Sequence, residues 1–236
     1  MLPSKLKLKS IRPEDVTVAI FVALVKESVA VALCFDEEFQ CFMNTTKYVY
    51  RSGRIGQHNV VVAQPIDMGK VSASNIAVYV SHEFRNVRLA LMVGIGGGIP
   101  SKNKDIRLGD IAVSKPVANL PGVLQYDFIK AEGSGQVVLK GTRDKPHPTL
   151  LSAVNYLEGE EMMDRCPLPE NIEFIMKKTS RFKQPEEDDV LYDLTSTHIE
   201  RGEDCTACEM SGIKKIVQRQ GPRNGPQVSR PILRSL

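Results

Sequence analysis

A nearly unbroken apolar run close to the amino terminus constrains the fold of this chain more than any other feature. Residues 16–25 read VTVAIFVALV, a short run that is rich in β-branched side chains and free of charge. A strand with one solvent-facing side alternates apolar and polar residues, whereas a strand buried on both faces is apolar throughout. The run therefore predicts an interior strand of a parallel sheet, with other elements covering both faces.

The segments that follow alternate between helical and extended patterns. A helical pattern begins at Lys26 and continues to about Glu38, and apolar residues spaced at i, i+3, i+4, i+7 and i+11 predict a helix with one buried face over 73–84. A third helix is predicted over 148–157, with proline in its first turn. Short apolar runs predict further strands at 48–50, 60–63, 89–93, 111–113, 123–126 and 137–139. This alternation across 16–158 indicates an α/β fold.

The composition changes near residue 159. Prolines, an acidic run and two Gly-Pro steps leave one short helical pattern beyond that point, Ile172 to Lys178. We therefore predict an α/β core over 11–158, a loop-rich segment over 159–210 and a basic tail over 211–236. The tail has six Lys or Arg residues and no acid, and its few apolar residues bury too little surface to offset the ordering entropy. We predict that the tail is disordered.

Charge, hydropathy and cysteine content exclude several classes of protein. The net charge of +3 comes from the +6 of the tail, so residues 1–210 carry −3 and give no electrostatic reason to expect a nucleic-acid partner. No apolar run approaches the roughly 20 residues of a membrane-spanning helix. The opening MLPSKLKLKS lacks the apolar core of a secretory signal. Five cysteines are too few for a disulfide framework, so we expect a reduced, cytoplasmic protein. Because the chain lacks a long apolar run, we expect no membrane partner.

A glycine cluster, VGIGGGIP at 93–100, follows one of the predicted buried strands. Glycine permits φ > 0 and lets a ligand approach the backbone amides, and open α/β sheets bind ligands at this carboxyl edge. A tight packing turn accounts for the same residues, and both interpretations stay open. The cluster is not a dinucleotide-binding fingerprint, because its spacing is G-x-G-G-G and Pro100 stands where a helix would begin.

Glu27 lies just past the first strand, in the first turn of the following helix. A carboxylate at this position can act as a general base toward water or accept a hydrogen bond from a sugar hydroxyl. Alternatively, it is an exposed acid that only complements the helix dipole.

The cysteines, histidines and acidic run give little indication of a functional site. Cys205 and Cys208 form a single C-x-x-C with only His198 nearby, whereas a structural zinc site needs four ligands, so no metal site is expected. The other three histidines, His58, His82 and His147, have no partners at ligand spacing. The acidic run 186–189 is expected to be a solvated loop.

An ordered set of motifs gives the sequence a family resemblance. The set RPEDVTVAIFVALVKESVAV, RIGQHNVVVAQ, MGKVSAS, RLALMVGIGGGIP, DIRLGDIAVSKP and GVLQYDF resembles the purine nucleoside phosphorylase and methylthioadenosine nucleosidase superfamily. It is most similar to the fungal branch in which this domain precedes NTPase or ankyrin-repeat modules in receptor-like proteins. The resemblance covers roughly residues 11–210. It implies a three-layer α/β/α sandwich around a mixed sheet, here incomplete at the C-terminus.

The resemblance also implies a reaction and a site. Members cleave the N-glycosidic bond of purine nucleosides or nucleotides, with phosphate or water as co-substrate and no other cofactor. Glu27 matches the carboxylate that activates water in the nucleosidases. Gly94, Ile95, Gly96 and Gly97 match the backbone beside base and ribose, although Ile95 replaces a serine found in many members.

Two family features have no counterpart in this chain. A Met-Glu-x-Ala motif, whose glutamate grips the ribose hydroxyls, is absent, and so is a later Asp that acts at the purine N7. We therefore expect glycosidic cleavage that is impaired by truncation. The alternative is a non-catalytic nucleoside-binding or oligomerisation module, and a homo-oligomer fits either function. A nicotinamide-dependent oxidoreductase is a weaker third hypothesis, because the glycine spacing is wrong for it.

Overall fold

The computed structural model describes residues 8–41, 47–101, 104–117, 120–125, 129–131, 137–139, 145–183, 189–199, 206–212, 215–219, 221, 226, 228–229 and 233–235. The chain forms two compact units. The first unit comprises residues 1–97 and 167–181, and the second comprises 98–166 and 182–236. The predicted boundaries near 158 and 210 stay predictions.

A six-stranded mixed sheet forms the centre of the first unit, with the order β1-β3-β4-β5-β2-β6. Its strands are β1 (Lys9–Ile11), β2 (Val18–Phe21), β3 (Glu37–Cys41), β4 (Arg51–Ile55), β5 (His58–Ala63) and β6 (Leu89–Met92). Strand β2 is parallel to both of its neighbours, β5 and β6, β1 is parallel to β3, and the pairs β3–β4 and β4–β5 are antiparallel. The apolar run is thus an interior strand with parallel partners, and the predicted α/β fold is confirmed.

The two faces of this sheet pack against different helices, because successive residues of a strand point to opposite sides. Helix α1 (Val25–Leu33) covers one face and helix α2 (Lys70–Glu83) covers the other. The α1 face buries Val18, Ile20, Val22, Val31, Phe35, Val60 and Val62. The α2 face buries, among others, Ala19, Val61, Ala63, Ile76, Val80 and Phe84. This is the α/β/α layering expected from the resemblance.

Two predictions for the first unit differ from the structure. Helix α1 ends at Leu33 instead of about Glu38, because Phe35 turns into the core and residues 37–41 pair as β3 with β1 and β4. The strand predicted at 48–50 is absent there, and residues 51–55 form strand β4 instead, which meets β5 through a tight turn with Gly56 at φ 58°. In both places long-range strand pairing overrides the local pattern.

The second unit contains short ladders and helices. Its elements are β7 (Ile111–Ala112), β8 (Val123–Gln125), β9 (Ile129–Ala131), β10 (Val137–Leu139), α3 (Pro148–Met162), α5 (Thr206–Met210), β11 (Val228–Ser229) and β12 (Leu233–Ser235). Strands β9 and β10 pair antiparallel, and the pairs β7–β11 and β8–β12 are parallel. The strands predicted at 111, 123 and 137 and the helix predicted from 148 are confirmed, and that helix continues to Met162. None of the described helices in either unit combines the length and apolarity needed to cross a membrane.

Helix α4 (Leu168–Lys178) matches the helical pattern predicted at 172–178 and belongs to the first unit. The Lys178 ammonium donates hydrogen bonds to the carbonyl oxygens of Leu33 and Phe35, both at 2.8 Å. A cation at this position satisfies carbonyl groups at the C-terminal end of α1 and complements the helix dipole.

Candidate functional site

The carboxyl ends of β2, β5 and β6 meet at one edge of the first unit's sheet, because the three strands are adjacent and parallel. Strand β2 leads directly into α1, which carries Glu27 in its first turn. Strand β6 leads into residues 94–97, which we call the glycine loop. The structure therefore brings the two predicted sites, Glu27 and the glycine cluster, to the same edge.

The Glu27 carboxylate accepts hydrogen bonds from three backbone amides. Its Oε2 accepts from the N–H groups of Ala23, at 2.8 Å, and Leu24, at 2.7 Å. Its Oε1 accepts from the N–H of Ile95 in the glycine loop, at 2.8 Å. Glu27 is 6% exposed, so its side chain is shielded from water, whereas its partner Ile95 is 68% exposed.

The start of α1 explains why Glu27 turns back toward the preceding residues. The residue at the N-cap is Leu24, whose side chain has no acceptor for the first helical N–H groups. Glu27, three residues later, instead accepts the N–H of Leu24, which is one half of a capping box. An acid that only complements the helix dipole would stay exposed, so the interpretation of Glu27 as an exposed first-turn acid is wrong.

Burial and hydrogen bonding act on Glu27 in opposite directions. Burial by itself raises the pKa of the carboxyl, but the hydrogen bonds from Ile95, Leu24 and Ala23 outweigh it and hold the pKa below its ordinary value of 4.5. Glu27 is consequently ionised at neutral pH. A carboxylate with a lowered pKa, and with both oxygens already engaged, is a weak general base.

The glycines of the loop differ in what a side chain would meet. A Cβ at Gly94 would lie 3.0 Å from Oε1 of Glu27, whereas a Cβ at Gly96 or Gly97 would meet nothing within 4 Å. The glycines with left-handed φ in the described residues are Gly56, Gly69, Gly109 and Gly212, none of them in this loop. The glycine loop therefore does not depend on positive φ, and close approach is the reason for glycine at position 94.

Gly96 and Gly97 present their backbone to solvent. Both residues are exposed, and no hydrogen bond within the described part of the chain uses either amide N–H. The next residue toward β6, Ile95, directs its N–H inward to Glu27 while its side chain is 68% exposed. The loop thus combines one fixed amide with two open ones.

The remaining polar candidates lie elsewhere or have structural partners. Sγ of Cys208 accepts a weak hydrogen bond from the N–H of Ile199, at 3.4 Å, and Cys205 lies outside the described residues. In the described ranges no three His, Cys, Asp or Glu side chains lie close enough to hold a metal ion. Nδ1 of His147 accepts the N–H of Thr149 and caps α3. His58 opens β5 and His82 lies in the last turn of α2.

The acidic run at 186–189 has a structural role at its last residue. Asp189 accepts hydrogen bonds from the Arg219 guanidinium, at 2.6 Å, and from the N–H of Leu108, at 3.2 Å. Arg219 also lies 3.5 Å from a carboxylate oxygen of Asp105. Asp189 is thus not a solvated loop residue, and residues 186–188 lie outside the described residues.

A cavity of about 570 Å³ opens at the amino edge of the first unit's sheet, opposite the candidate site. Its charged lining residues are paired with one another or with neighbours. Lys9 contacts Glu37 at 2.6 Å, and Arg12 makes two hydrogen bonds to Asp15. The cavity offers no free charge in its described lining for a polar ligand, so the carboxyl edge stays the candidate site.

Comparisons with known proteins agree with these features. The sequence pattern of the phosphorylase superfamily matches residues 17–164, a range that includes Glu27 and the glycine loop. A nucleotide-binding leucine-rich repeat (NLR)-like protein of Hyaloscypha variabilis is 35% identical over 199 residues, which cover 80% of this chain and 20% of that protein. The chain thus spans about a fifth of that relative's length. No solved structure matches the chain significantly.

Proposed function

The chain belongs to the phosphorylase superfamily, and from this premise we propose that the carboxyl edge of β2, β5 and β6 binds a purine nucleoside or nucleotide and cleaves it slowly or not at all. The glycine loop and the start of α1 are the binding elements in this proposal. A cytoplasmic location and a homo-oligomer stay predictions from the sequence.

The open amides of Gly96 and Gly97 carry the proposal. Two exposed N–H groups without a described partner can donate to oxygen or nitrogen acceptors, and a nucleoside offers such acceptors on both base and ribose. Glycine has no side chain to cover these amides, and a Cβ at either position would have no neighbour within 4 Å. The backbone of both residues is therefore accessible to a ligand. Both glycines lie at the carboxyl edge of parallel strands, and open α/β sheets bind ligands at this edge.

The state of Glu27 favours binding over cleavage. Breaking a glycosidic bond builds positive charge on the ribose and negative charge on the leaving base, and catalysis requires groups that stabilise both. The lone pairs of the Glu27 carboxylate already serve three backbone amides. A general base is typically worth about 10²–10⁴-fold in rate, so a Glu27 carboxylate that is engaged in this way predicts slow turnover.

Glycosidic cleavage with Glu27 as the base is the second candidate. One observation favours it: the carboxylate is ionised at neutral pH and lies beside the glycine loop, as a base that activates water must. Because the lowered pKa makes the Glu27 carboxylate a weak base, we expect its contribution to the rate of cleavage to be small.

Calorimetric titration with adenosine, inosine, methylthioadenosine and ATP tests the proposal, with free base scored by chromatography in the same samples. Binding without base release is expected. Base release above the blank would establish the second candidate, and absence of both binding and release would overturn the two together.

A matched pair of variants locates the binding site. Gly97→Val places a branched side chain in the open space over the loop and is expected to abolish binding while leaving the melting temperature nearly unchanged. His82→Ala is the control, because His82 is exposed in the last turn of α2, at the amino edge of the sheet, and its loss should leave binding intact. Equal affinities for the two variants would exclude the glycine loop as the site.

A further inference from the structure

The Glu27 side chain joins two segments that are far apart in sequence. Strands β2 and β6 pair in parallel with Phe21 beside Met92, so the residues that follow each strand emerge side by side. Oε2 holds the segment after β2 through Ala23 and Leu24, and Oε1 holds the glycine loop through Ile95. One carboxylate thus fixes the separation between the start of α1 and the glycine loop.

Gly94 is matched to this carboxylate. A Cβ at position 94 would lie 3.0 Å from Oε1, which is closer than carbon and oxygen normally approach. Gly94 does not have a left-handed φ, so the carboxylate, and not the backbone conformation, requires glycine here. Gly96 and Gly97 face no such neighbour. The pair Glu27 and Gly94 is therefore a specific contact within the glycine cluster.

Few other contacts fix the loop within the described residues. The N–H of Val93 donates to the carbonyl oxygen of Phe21 at 2.9 Å, which is the last hydrogen bond of the β2–β6 ladder. Beyond it, the bond from Ile95 to Glu27 is the anchor that the structure gives the loop, since the Ile95 side chain is 68% exposed. A hydrogen bond to an ionised acceptor is about twice as strong as a neutral one, so this anchor is a strong one.

We propose that Glu27 is a positioning residue, which together with Gly94 holds the Ile95 amide inward and so presents the amides of Gly96 and Gly97 to a nucleoside. This inference rests on the proposed function of the carboxyl edge. A loop that is already ordered before binding loses less entropy when the ligand arrives, so the anchor acts on affinity. Glu27 acts here through the backbone and not by taking a proton from water.

The three backbone N–H groups around residue 27 require a side chain with an acceptor on each side, as a carboxylate has. Three N–H groups converge on the side chain, and a carboxylate has acceptors on both oxygens. Glutamine has nearly the same shape but one oxygen, and its NH₂ would face either the Ile95 N–H or the N–H groups of Ala23 and Leu24. Glu27→Gln therefore releases one side of the bridge without removing the bulk of the side chain.

The first test is amide hydrogen exchange at Ile95, measured by NMR in the full chain without ligand. Glu27→Gln should raise the exchange rate of Ile95 about tenfold to a hundredfold, the loss expected for a hydrogen bond to a charged acceptor. Gly94→Ala should also raise it, because the added Cβ displaces Oε1. Gly96→Ala, whose Cβ enters open space, is the control and should leave the rate unchanged. An unchanged Ile95 rate in both Glu27→Gln and Gly94→Ala would overturn the proposal.

The second test is a double-mutant cycle on adenosine affinity, titrated well below the melting temperature of every variant. Gly94→Ala should weaken binding about tenfold in the native background and little further when Glu27→Ala has removed the carboxylate. Additive losses would overturn the coupling. If Glu27→Ala does not fold, the exchange rates of Ile95 in Gly94→Ala and Gly96→Ala can still be compared, and an equal rate in the two variants would overturn the proposal.

The two proposals fail in different ways. If the native chain binds no nucleoside, the proposed function is wrong, whereas the exchange rates still decide whether Glu27 fixes the loop. If base is released, a positioning role predicts that Glu27→Gln raises KM with kcat nearly unchanged. A loss confined to kcat would instead identify Glu27 as the base and overturn the positioning role.

Discussion

The two units are stabilised by different means in the part of the chain that the structure describes. The first unit buries aliphatic and aromatic side chains on both faces of its sheet. In the second unit, described buried residues are few, Pro121 and Cys208 among them, and ion pairs such as Arg219–Asp189 and Lys115–Glu158 connect its segments. Apolar burial stabilises in proportion to area and resists salt, whereas partly exposed ion pairs contribute less and weaken with salt.

This difference explains where the candidate site lies. A glycine loop without side-chain packing needs a rigid support, and the parallel strands β2, β5 and β6 provide it because both faces of the sheet are covered. Glu27 adds a polar contact inside this apolar unit.

Phe84→Ala is expected to destabilise the first unit most. Phe84 is 1% exposed and packs edge-on against Tyr50, with the ring centroids 5.3 Å apart. Removing its ring leaves a cavity, and we expect the free energy of unfolding to fall by about 3–5 kcal/mol. Urea denaturation measures this change. Val78→Ala, at a position on the same helix that is 56% exposed, is the control and should change stability by less than about 0.5 kcal/mol.

Glu27→Gln should destabilise the first unit by about 1–3 kcal/mol at pH 7, because the bonds to a charged acceptor are lost. The pKa of Glu27 is below 4.5 in the folded state, so its contribution is fully present above that pH and disappears as the pH falls through the folded pKa. Urea titrations of the native chain and the variant at pH 7, 5 and 3 should therefore converge toward acid. A difference that is independent of pH would contradict the role of the ionised carboxylate.

Asp189→Asn tests the ion pairs of the second unit. The Arg219 side chain is 13% exposed, whereas its partners Asp189 and Asp105 are 27% and 35% exposed. Solvent therefore screens the pair in part, and we expect a loss of about 1–2 kcal/mol. Opening of this contact should accelerate tryptic cleavage after Arg219 about tenfold. Asp193→Asn is the control, because Asp193 accepts its hydrogen bonds from Thr195.

The same digestion tests the predicted disorder of residues 211–236. A disordered tail would be cut after Arg219 before any site in 16–158, at one rate in the native chain and in Asp189→Asn. The contacts of Arg219 instead predict slow cleavage that depends on Asp189 and accelerates with added salt.

Lys178→Met should have the smallest measurable effect. Lys178 donates to two carbonyl oxygens near the end of α1 and lies 4.1 Å from the centroid of the Phe174 ring. Methionine keeps the apolar stem, so the loss of charge alone should lower stability by about 0.5–1 kcal/mol. Lys177→Met removes an exposed partner of Glu173 and should leave the urea midpoint unchanged. Equal shifts for the two variants would show that the contact of Lys178 with α1 contributes nothing.

Much of the fold could be predicted from local patterns. The apolar run at 16–25, the helical face over 73–84 and the strand at 89–93 correspond to β2, α2 and β6. These predictions succeed because burial on one face leaves a period in the sequence and burial on both faces leaves an unbroken apolar run. They fail at residues 34–38, where a helical pattern continues although the chain turns at Phe35 to pair as β3. Pairing between distant strands leaves no local period, so the end of α1 could not be predicted.

By itself, the sequence determined that Glu27 and the glycine cluster each lie at the carboxyl end of a buried strand, because both strands are recognisable as local features. The sequence also determined the family, because an ordered set of motifs can be matched without knowing which residues are in contact. Only the tertiary structure decided what the Glu27 carboxylate contacts. Its hydrogen bond to Ile95 spans 68 residues and exists because β2 and β6 pair in parallel with Phe21 beside Met92. That register turns an acid in a helix first turn into a buried anchor for the glycine loop.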